Sequence, residues 1–372
     1  MAYGTVQADI IQSSVTGVSL GAGNATRFKN RIINGNMVID QRNAGAILTP
    51  AAGGGYMTDR WAYSAGQSSK FTAQQTPSAT ETGYATRVAA GFNNYLAMTV
   101  SSAVTIGASD YFNIVQKIEG FNFSDLAWGT SSAKTVTLSF LAYSSLTGTF
   151  GGSIVNSAQN RSYPFSYSIP TANTWTQISV TIAGDTTGTW VGATNGVGVQ
   201  VFFGLGVGTT YSGTAGAWAG SLYLSATGAT SVVGTSGATF YITGVQLEVG
   251  SSATGFDFRD YGTELIMCQR YCIPMGDGVT GAGRSTTQFL FSAYWTQPMR
   301  TAPSATITDT SILISNNYTL DPLSSGSTLD LVQTSAYGGR ISISGFTALT
   351  PGAYYAAYGN TYGYFLILSA EL

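Results

Sequence analysis

The sequence predicts an all-β protein, in which a jelly-roll β-sandwich is followed by a short helix and a smaller C-terminal β-domain. Charged residues make up only 9% of the 372 residues, and glycine (47) and tyrosine (22) are abundant. An average soluble protein has about 25% charged residues. Plentiful Gly, Thr, Tyr and Val with few Lys and Glu favour strands and tight turns. Apolar residues also alternate with polar ones in many short segments, which is typical of strands.

The first segment, residues 1–29, is small and polar, with scattered isoleucine and valine. It carries too little apolar mass to fold alone. We predict an extended arm that orders against a neighbouring protein, and a frayed terminus is the alternative. No basic region followed by an apolar stretch indicates a signal peptide.

Residues 30–260 are predicted to form the sandwich. The Asn34-Gly35 step is a tight-turn signal between apolar residues. Alternation with a period of two predicts strands with one buried and one wetter face. The clearest alternating segments are 135–143, 177–182, 197–205 and 243–249. Numerous short strands separated by Gly- and Ser-rich loops favour a jelly-roll sandwich.

A connecting helix is predicted at 261–273. Asp260 is a suitable N-cap, and Pro274 would end the helix. Cys268 and Cys272 would share one helix face, where a disulfide bond between them would be strained. Two reduced, half-buried cysteines are therefore expected.

Residues 274–372 are predicted to form the C-terminal β-domain, since about one hundred residues suffice for a compact unit. Strand candidates are separated by turn-rich loops. The apolar segment from Tyr364 to Leu368 would need a partner strand to cover it.

Three blocks of the sequence resemble bacteriophage and prophage tail-fibre-like virion proteins. They read NRIINGNMVIDQRNAG, YMTDRW and VQLEVGSSATGFDFRDYGTELIMCQRYC, and the resemblance covers residues 28–272. It implies a sandwich similar to carbohydrate-binding modules, an N-terminal stretch that attaches to the virion, and a variable C-terminal domain. Cys272 stands where the family more usually has an aromatic residue, and residues 273–372 lie outside the resemblance.

Composition excludes several chemistries. The chain has no histidine, which excludes Ser-His and Cys-His nucleophile pairs and the usual zinc ligand sets. No calcium-loop motif is present. We predict no catalytic residue, no metal site and no cofactor. An enzyme without histidine would have to use carboxylates, and none of the candidate carboxylates lies in a catalytic motif. The candidates in the first domain are Asp40, Asp59, Asp110, Glu119, Asp125, Asp185, Glu248, Asp257 and Asp260.

Charge and hydropathy also limit the partners. The formal net charge is −2, with no basic footprint for nucleic acid. The most apolar run, residues 197–208, is too short to span a membrane. Low charge favours self-association, because little repulsion separates copies.

Aromatic residues are the candidates for ligand binding, since tyrosine and tryptophan rings stack on sugar rings. Trp190 and Trp218 lie in Gly- and Thr-rich segments, whereas Trp61 and Trp175 are expected in the core. Tyr354, Tyr355 and Tyr358 belong to a dense tyrosine set typical of recognition surfaces. Packing in the core or across strands is the alternative role for all five candidates.

We therefore expect a fibre or appendage subunit of a phage virion, assembled in the host cytoplasm, that binds a host surface glycan. By analogy with phage fibres it would be a homotrimer, attached to other virion proteins through its arm. A purely structural capsid-decorating or head-fibre protein is the first alternative. A glycan-degrading enzyme is the second.

Overall fold

A computed structural model describes residues 29–76, 80–276, 278–308, 312–315, 320–322, 328–358 and 364–372. The chain divides into two compact units. The first comprises residues up to Val38, Gly45–Met57 and Trp61–Arg259, and the second comprises Ile39–Ala44, Thr58–Arg60 and Asp260–Leu372. The expected arm lies outside the described residues apart from Lys29, whose ammonium group donates to the Gly255 carbonyl of the first unit.

The first unit is a sandwich of two antiparallel sheets. Its strands and its short helix are β1 (Gly53–Thr58), β2 (Trp61–Ala65), β3 (Phe71–Thr76), α1 (Tyr84–Ala89), β4 (Tyr95–Val100), β5 (Tyr111–Glu119), β6 (Val136–Ser144), β7 (Gly148–Asn156), β8 (Ser162–Ile169), β9 (Thr176–Ile182), β10 (Val197–Val207), β11 (Ser212–Gly213), β12 (Ser225–Ala226) and β13 (Thr239–Val249).

Sheet I has the order β1-β2-β5-β10-β7-β8, and sheet II has the order β3-β4-β13-β6-β9. From β5 to β10 the chain changes sheet repeatedly, as in a jelly roll. Alternating side chains such as Leu138, Phe140 and Phe203 meet between the sheets and are fully buried. The predicted fold class is confirmed.

One expectation about the strands is wrong. Strands β6 and β10 are buried on both faces along nearly their whole length, not on one face. The outer face of sheet I is covered by Leu224 and neighbouring residues of the 208–226 segment. The outer face of sheet II carries Tyr143 and Trp175 and packs against Phe92 and Phe256 from flanking segments. Segments that are distant in sequence therefore bury the strand faces that the alternating pattern predicted to be exposed to solvent.

The second helix, α2 (Tyr261–Gln269), begins where predicted. The Asp260 carboxylate accepts a hydrogen bond from the Thr263 backbone N–H at 2.9 Å, which is an N-cap. The helix ends at Gln269, not at 273, because Cys272 begins a strand that also contains Pro274. It belongs to the second unit.

The second unit contains two further sheets. Its strands are β14 (Cys272–Gly276), β15 (Val279–Gly283), β16 (Gln288–Tyr294), β17 (Ser304–Ile307), β18 (Leu313–Ser315), β19 (Leu320–Pro322), β20 (Leu329–Thr334), β21 (Gly338–Ser344), β22 (Tyr354–Tyr358) and β23 (Tyr364–Ser369).

Sheet III has the order β14-β23-β17, and sheet IV has the order β19-β18-β22-β15-β16-β21-β20. The apolar final strand β23 is central in sheet III, so the expectation that it needs partner strands is confirmed. Phe289, Phe291, Ile341 and Phe365 are among the residues that form the core of this unit.

Candidate functional site

Three tryptophans meet at one end of the sandwich and form what we term the tryptophan cluster. Trp128 follows β5, Trp190 lies between β9 and β10, and Trp218 lies between β11 and β12. The ring centres of Trp128 lie 4.9 Å from those of Trp190 and 5.1 Å from those of Trp218, and Trp190 and Trp218 are 5.5 Å apart. All three pairs are edge-to-face, a favourable geometry for aromatic rings. The structure thus brings the two predicted tryptophans together and adds a third.

Asp185 holds this cluster in place. Its carboxylate, 1% exposed, accepts hydrogen bonds from Arg161 Nε at 2.9 Å and Nη2 at 2.7 Å and from Trp190 Nε1 at 3.0 Å. Burial acts to raise the pKa of Asp185, but the bonds from Arg161 and Trp190 outweigh it and lower the pKa to about 2. The carboxylate is therefore ionised at neutral pH and fully engaged.

The remaining polar edges of the cluster are also engaged. Trp218 Nε1 donates to the Ala183 carbonyl at 2.8 Å, and the Arg161 guanidinium lies 5.7 Å from the Trp218 ring centre. Trp190 and Trp218 are half-buried and pack against the main core. The cluster offers a solvated edge of two rings, but its indole N–H groups are already used within the protein.

The predicted tyrosines lie in sheet IV and point in two directions. Tyr354 and Tyr358 share its outer face, whereas Tyr355 points into the core, 4% exposed, with its hydroxyl accepting a hydrogen bond from the Thr350 N–H at 2.8 Å. Adjacent residues of a strand point to opposite faces, so Tyr355 cannot share a surface with Tyr354. The structure therefore corrects the assignment of Tyr355 as a ligand contact.

A further tyrosine, Tyr294 of β16, completes what we term the tyrosine face, the outer face of sheet IV marked by Tyr294, Tyr354 and Tyr358. The exposed fractions of the three side chains are 88%, 82% and 43%, respectively. Within the described residues, none of the three rings contacts another aromatic ring or makes a side-chain hydrogen bond. Sequence reasoning missed Tyr294; only the pairing of β15 with β16 and β22 places it on the same face as the others, where Leu290, four residues before it, is in register with Tyr354.

A polar groove lies on the same face. Its volume is about 280 Å³, and it is lined by Gln288, Thr328, Leu329, Asp330, Ser342 and Ser344. The hydroxyl oxygens of Thr328 and Ser344 are 2.5 Å apart and hydrogen-bonded. Gln288 pairs with Ser344 and Asp330 pairs with Ser342 across the strands, which gathers amide, carboxylate and hydroxyl groups in one place. Such groups can bind a hydroxyl-rich ligand.

The second unit also holds a buried ionic network. The Glu371 carboxylate accepts hydrogen bonds from Arg42 Nη2 at 2.8 Å and from Arg60 Nη1. The Arg60 guanidinium lies 3.6 Å from the ring centre of Tyr271. Arg42, Arg60 and Tyr271 come from the three sequence blocks quoted above. These blocks therefore contribute to one internal ionic network rather than to an open site.

Asp59 lies in the same network. It accepts hydrogen bonds from the Gln41 backbone N–H at 2.6 Å and from Gln41 Nε2 at 2.7 Å. Burial raises the pKa of Asp59 to about 7, against the opposing charge of Arg42. Burial also raises the pKa of the Cys268 and Cys272 thiols. Both cysteines are free, as predicted, but they are fully buried and not half-buried, and Cys272 lies in β14 and not on the helix.

Most of the first-domain carboxylates have structural partners. Asp125 pairs with Arg31 at 2.5 Å, and Asp257 lies 3.7 Å from Arg259. Glu248 accepts hydrogen bonds from Thr254 and Gln246. The described residues contain no group of three or more His, Cys, Asp or Glu that could hold a metal ion. Neither described helix has the length and apolar character to span a bilayer.

No family model and no curated protein matches the chain. Solved structures with a similar fold include the family 11 carbohydrate-binding module from Clostridium thermocellum in complex with a mixed-linked tetrasaccharide (11% identity, TM-score 0.27, 55% of this chain and 99% of that one). A putative sugar binding protein from Bacteroides thetaiotaomicron is 11% identical (TM-score 0.29, 60% and 100%). The enzymatically active domain of bacteriophage CBA120 tailspike protein 4 is 11% identical (TM-score 0.28, 59% and 21%). Similarity this low assigns no ligand, activity or partner to the chain.

Proposed function

We propose that the chain is a non-catalytic, glycan-binding subunit of a bacteriophage fibre or appendage and that the tyrosine face is its binding surface. The observation that carries the proposal is the exposure of Tyr294 and Tyr354, 88% and 82%, on the sheet face that also carries the polar groove. An exposed ring without a partner ring is unfavourable in water and can stack on the apolar face of a sugar. The groove supplies acceptors and donors for the sugar hydroxyls.

Binding without catalysis is favoured by the distribution of carboxylates. Hydrolysis of a glycosidic bond usually requires two carboxyl groups on opposite sides of the bond. The described lining of the groove contains one, Asp330. Asp185, Asp125 and Glu248 are held by hydrogen bonds or ion pairs within the first unit.

The three sequence blocks that resemble tail-fibre-like proteins support the proposed place in a virion. The low content of charged residues supports the proposed self-association. We propose a homotrimer attached to other virion proteins through residues 1–29. Three copies presented together would raise the effective concentration of weak sugar contacts and convert them into firm attachment.

The test is binding of the full-length chain to an array of bacterial surface glycans, with a triple variant Tyr294→Ser, Tyr354→Ser and Tyr358→Ser. Each lost stacking contact is worth about 1 kcal/mol, so the triple variant should bind at least about tenfold more weakly. Tyr261→Ser is the matched control, because Tyr261 is also exposed (63%) but lies on α2. It should bind like the wild type.

Two further readouts separate the alternatives. A purely structural decoration protein would bind no glycan on the array and would not block adsorption of phage to its host. An enzyme would release reducing ends from the bound polysaccharide. Equal binding by the triple variant and the wild type would contradict the tyrosine face as the site.

A further inference from the structure

The outer face of sheet IV has one row of paired residues that runs across five strands. Tyr354 pairs with Ala282, Ala282 with Leu290, Leu290 with Ser342, and Ser342 with Asp330. Directly paired residues of antiparallel strands point to the same face. With adjacent strands roughly 4.8 Å apart, Tyr354 and Asp330 are separated by about 19 Å along this row. That length exceeds a single sugar ring and matches a short chain of sugars.

The row changes character along its length. Tyr354 stands at one end, and its side chain is 82% exposed. Ala282 and Leu290 follow, short and partly exposed, and leave a low apolar floor beside the ring. At the other end lie the polar groove residues Ser342 and Asp330. A ligand lying across the strands would thus meet a stacking ring, an apolar floor and a hydrogen-bonding end in that order.

The polar end has unused hydrogen-bonding groups. Ser342 is only 2% exposed and lines the groove, yet its hydroxyl has no side-chain hydrogen bond within the described residues. The side chains of Gln288 and Asp330 likewise make no hydrogen bond or ion pair there. The Ser342 hydroxyl does not belong to the buried unpaired atoms of the described residues, so it reaches solvent in the groove and can bind a ligand there, together with the Gln288 and Asp330 side chains.

Charge on this face narrows the ligand class. Among the described residues, Asp330 is the only charged side chain that lines the groove, and it belongs to the row. The exposed Arg340 lies on the same face but outside the row, since it pairs with Ser292 and Gln333. The two opposite charges form no ion pair. A carboxylate in the groove accepts hydrogen bonds from sugar hydroxyls and repels an acidic sugar.

We propose that the ligand is a neutral oligosaccharide lying across the strands of sheet IV, stacked on Tyr354 at one end and bound by Ser342 and Asp330 at the other. This inference rests on the proposed glycan-binding function and specifies its ligand. Length and neutrality are the two properties that the row selects.

Calorimetric titration of the full-length chain tests both properties. The probes are cello-, malto- and chito-oligosaccharides of one to six sugars, with oligogalacturonates of the same lengths as the acidic series. For the neutral series, we expect the affinity to rise with chain length over the first sugars and then to level off. The acidic series should bind at least about tenfold more weakly. Asp330→Asn should weaken neutral binding about tenfold and narrow the gap between the two series.

Tyr354→Ser should remove the gain in affinity that the longer neutral chains provide. Tyr261→Ser is the matched control, because Tyr261 is 63% exposed but lies on α2, outside sheet IV, and it should leave the length dependence unchanged. Equal affinity for a monosaccharide and a tetrasaccharide, or preference for the acidic series, would overturn the inference. If the triple tyrosine variant still weakens binding, the proposed function survives that outcome. If the triple variant binds like the wild type, the proposed function falls and this inference falls with it.

Discussion

The tryptophan cluster and the tyrosine face are both rich in aromatic residues, but they use them differently. In the cluster, each indole packs against the other two, and Asp185 and the Ala183 carbonyl accept hydrogen bonds from two indole N–H groups. On the tyrosine face, Tyr294 and Tyr354 project into solvent, and neither has a partner ring among the residues that the structure describes. Aromatic density alone therefore does not mark a binding surface. Unused ring faces and unused hydrogen-bonding groups are what distinguish the second region from the first.

The strongest test of this comparison is Asp185→Ala. It leaves the Arg161 guanidinium and the Trp190 N–H without their shared partner, so we expect the free energy of unfolding of the first unit to fall by about 3 kcal/mol. Arg161 retains some access to solvent, which keeps the loss at the lower end of the range for buried pairs. Urea denaturation followed by tryptophan fluorescence measures it.

The matched control is Thr187→Ala, which removes one hydroxyl that accepts from Arg161 at 2.9 Å and should cost about 1 kcal/mol or less. Glycan affinity of the folded Asp185→Ala protein should match the wild type. A loss of affinity with stability unchanged would mean that the cluster, not the tyrosine face, is the binding site.

Trp218→Ala should destabilise the first unit by about 2 kcal/mol. The indole is half-buried, so the loss is smaller than for a fully buried tryptophan. Trp218→Phe keeps one aromatic ring but loses the hydrogen bond to Ala183 and part of the packing of the indole, and it is expected to recover most of the stability. Thermal unfolding of the two variants side by side measures this difference.

A pH scan separates the two units. Asp59 has a pKa raised to about 7 in the folded protein, so the folded state holds its proton more tightly than the unfolded chain does. Its stabilising contribution is full below the ordinary pKa of aspartate and is lost as pH rises toward 7. The slope is at most about 1.4 kcal/mol per pH unit. Asp185, with a pKa of about 2, does not titrate in this range.

Denaturation between pH 5 and pH 8 should therefore show the second unit losing stability as pH rises, through Asp59, while Asp185 contributes no change to the first. In Asp59→Asn this part of the pH dependence should disappear. A variant that keeps the wild-type slope would show that another group is responsible.

The smallest expected effect is on stability at the tyrosine face. Tyr354→Ser should change the free energy of unfolding by no more than about 0.5 kcal/mol, because the side chain makes few contacts within the protein. Differential scanning calorimetry measures it. A large loss would place Tyr354 among the packed residues and remove the contrast with Trp218.

Much of the architecture follows from local patterns in the sequence. Alternation at 135–143 predicted the buried positions Val136, Leu138 and Phe140, and Asp260 marked the start of α2. The cover over the outer faces of sheets I and II was not predictable, because it depends on segments such as 208–226 packing against distant strands. No local sequence pattern indicates that β6 is buried on both of its faces.

The site was predicted less completely, for two separate reasons. Period-two alternation shows that Tyr354 and Tyr355 must face opposite ways, so one of the two was excluded by the sequence itself. In contrast, Tyr294 joins Tyr354 only through the pairing of β16, β15 and β22, and Asp185 meets Arg161 across 24 residues of chain. Strand order and loop contacts of this kind have no signature in a single sequence.

The second unit is built from three separate segments of the chain, which are Ile39–Ala44, Thr58–Arg60 and Asp260–Leu372. Glu371 depends on Arg42 and Arg60, which precede it by 329 and 311 residues. A fragment cut at residue 260 would leave that carboxylate buried without its cations. Exchanging the second unit between related chains would therefore require grafting both short early segments along with it, and we expect a single crossover point to yield a misfolded chimaera.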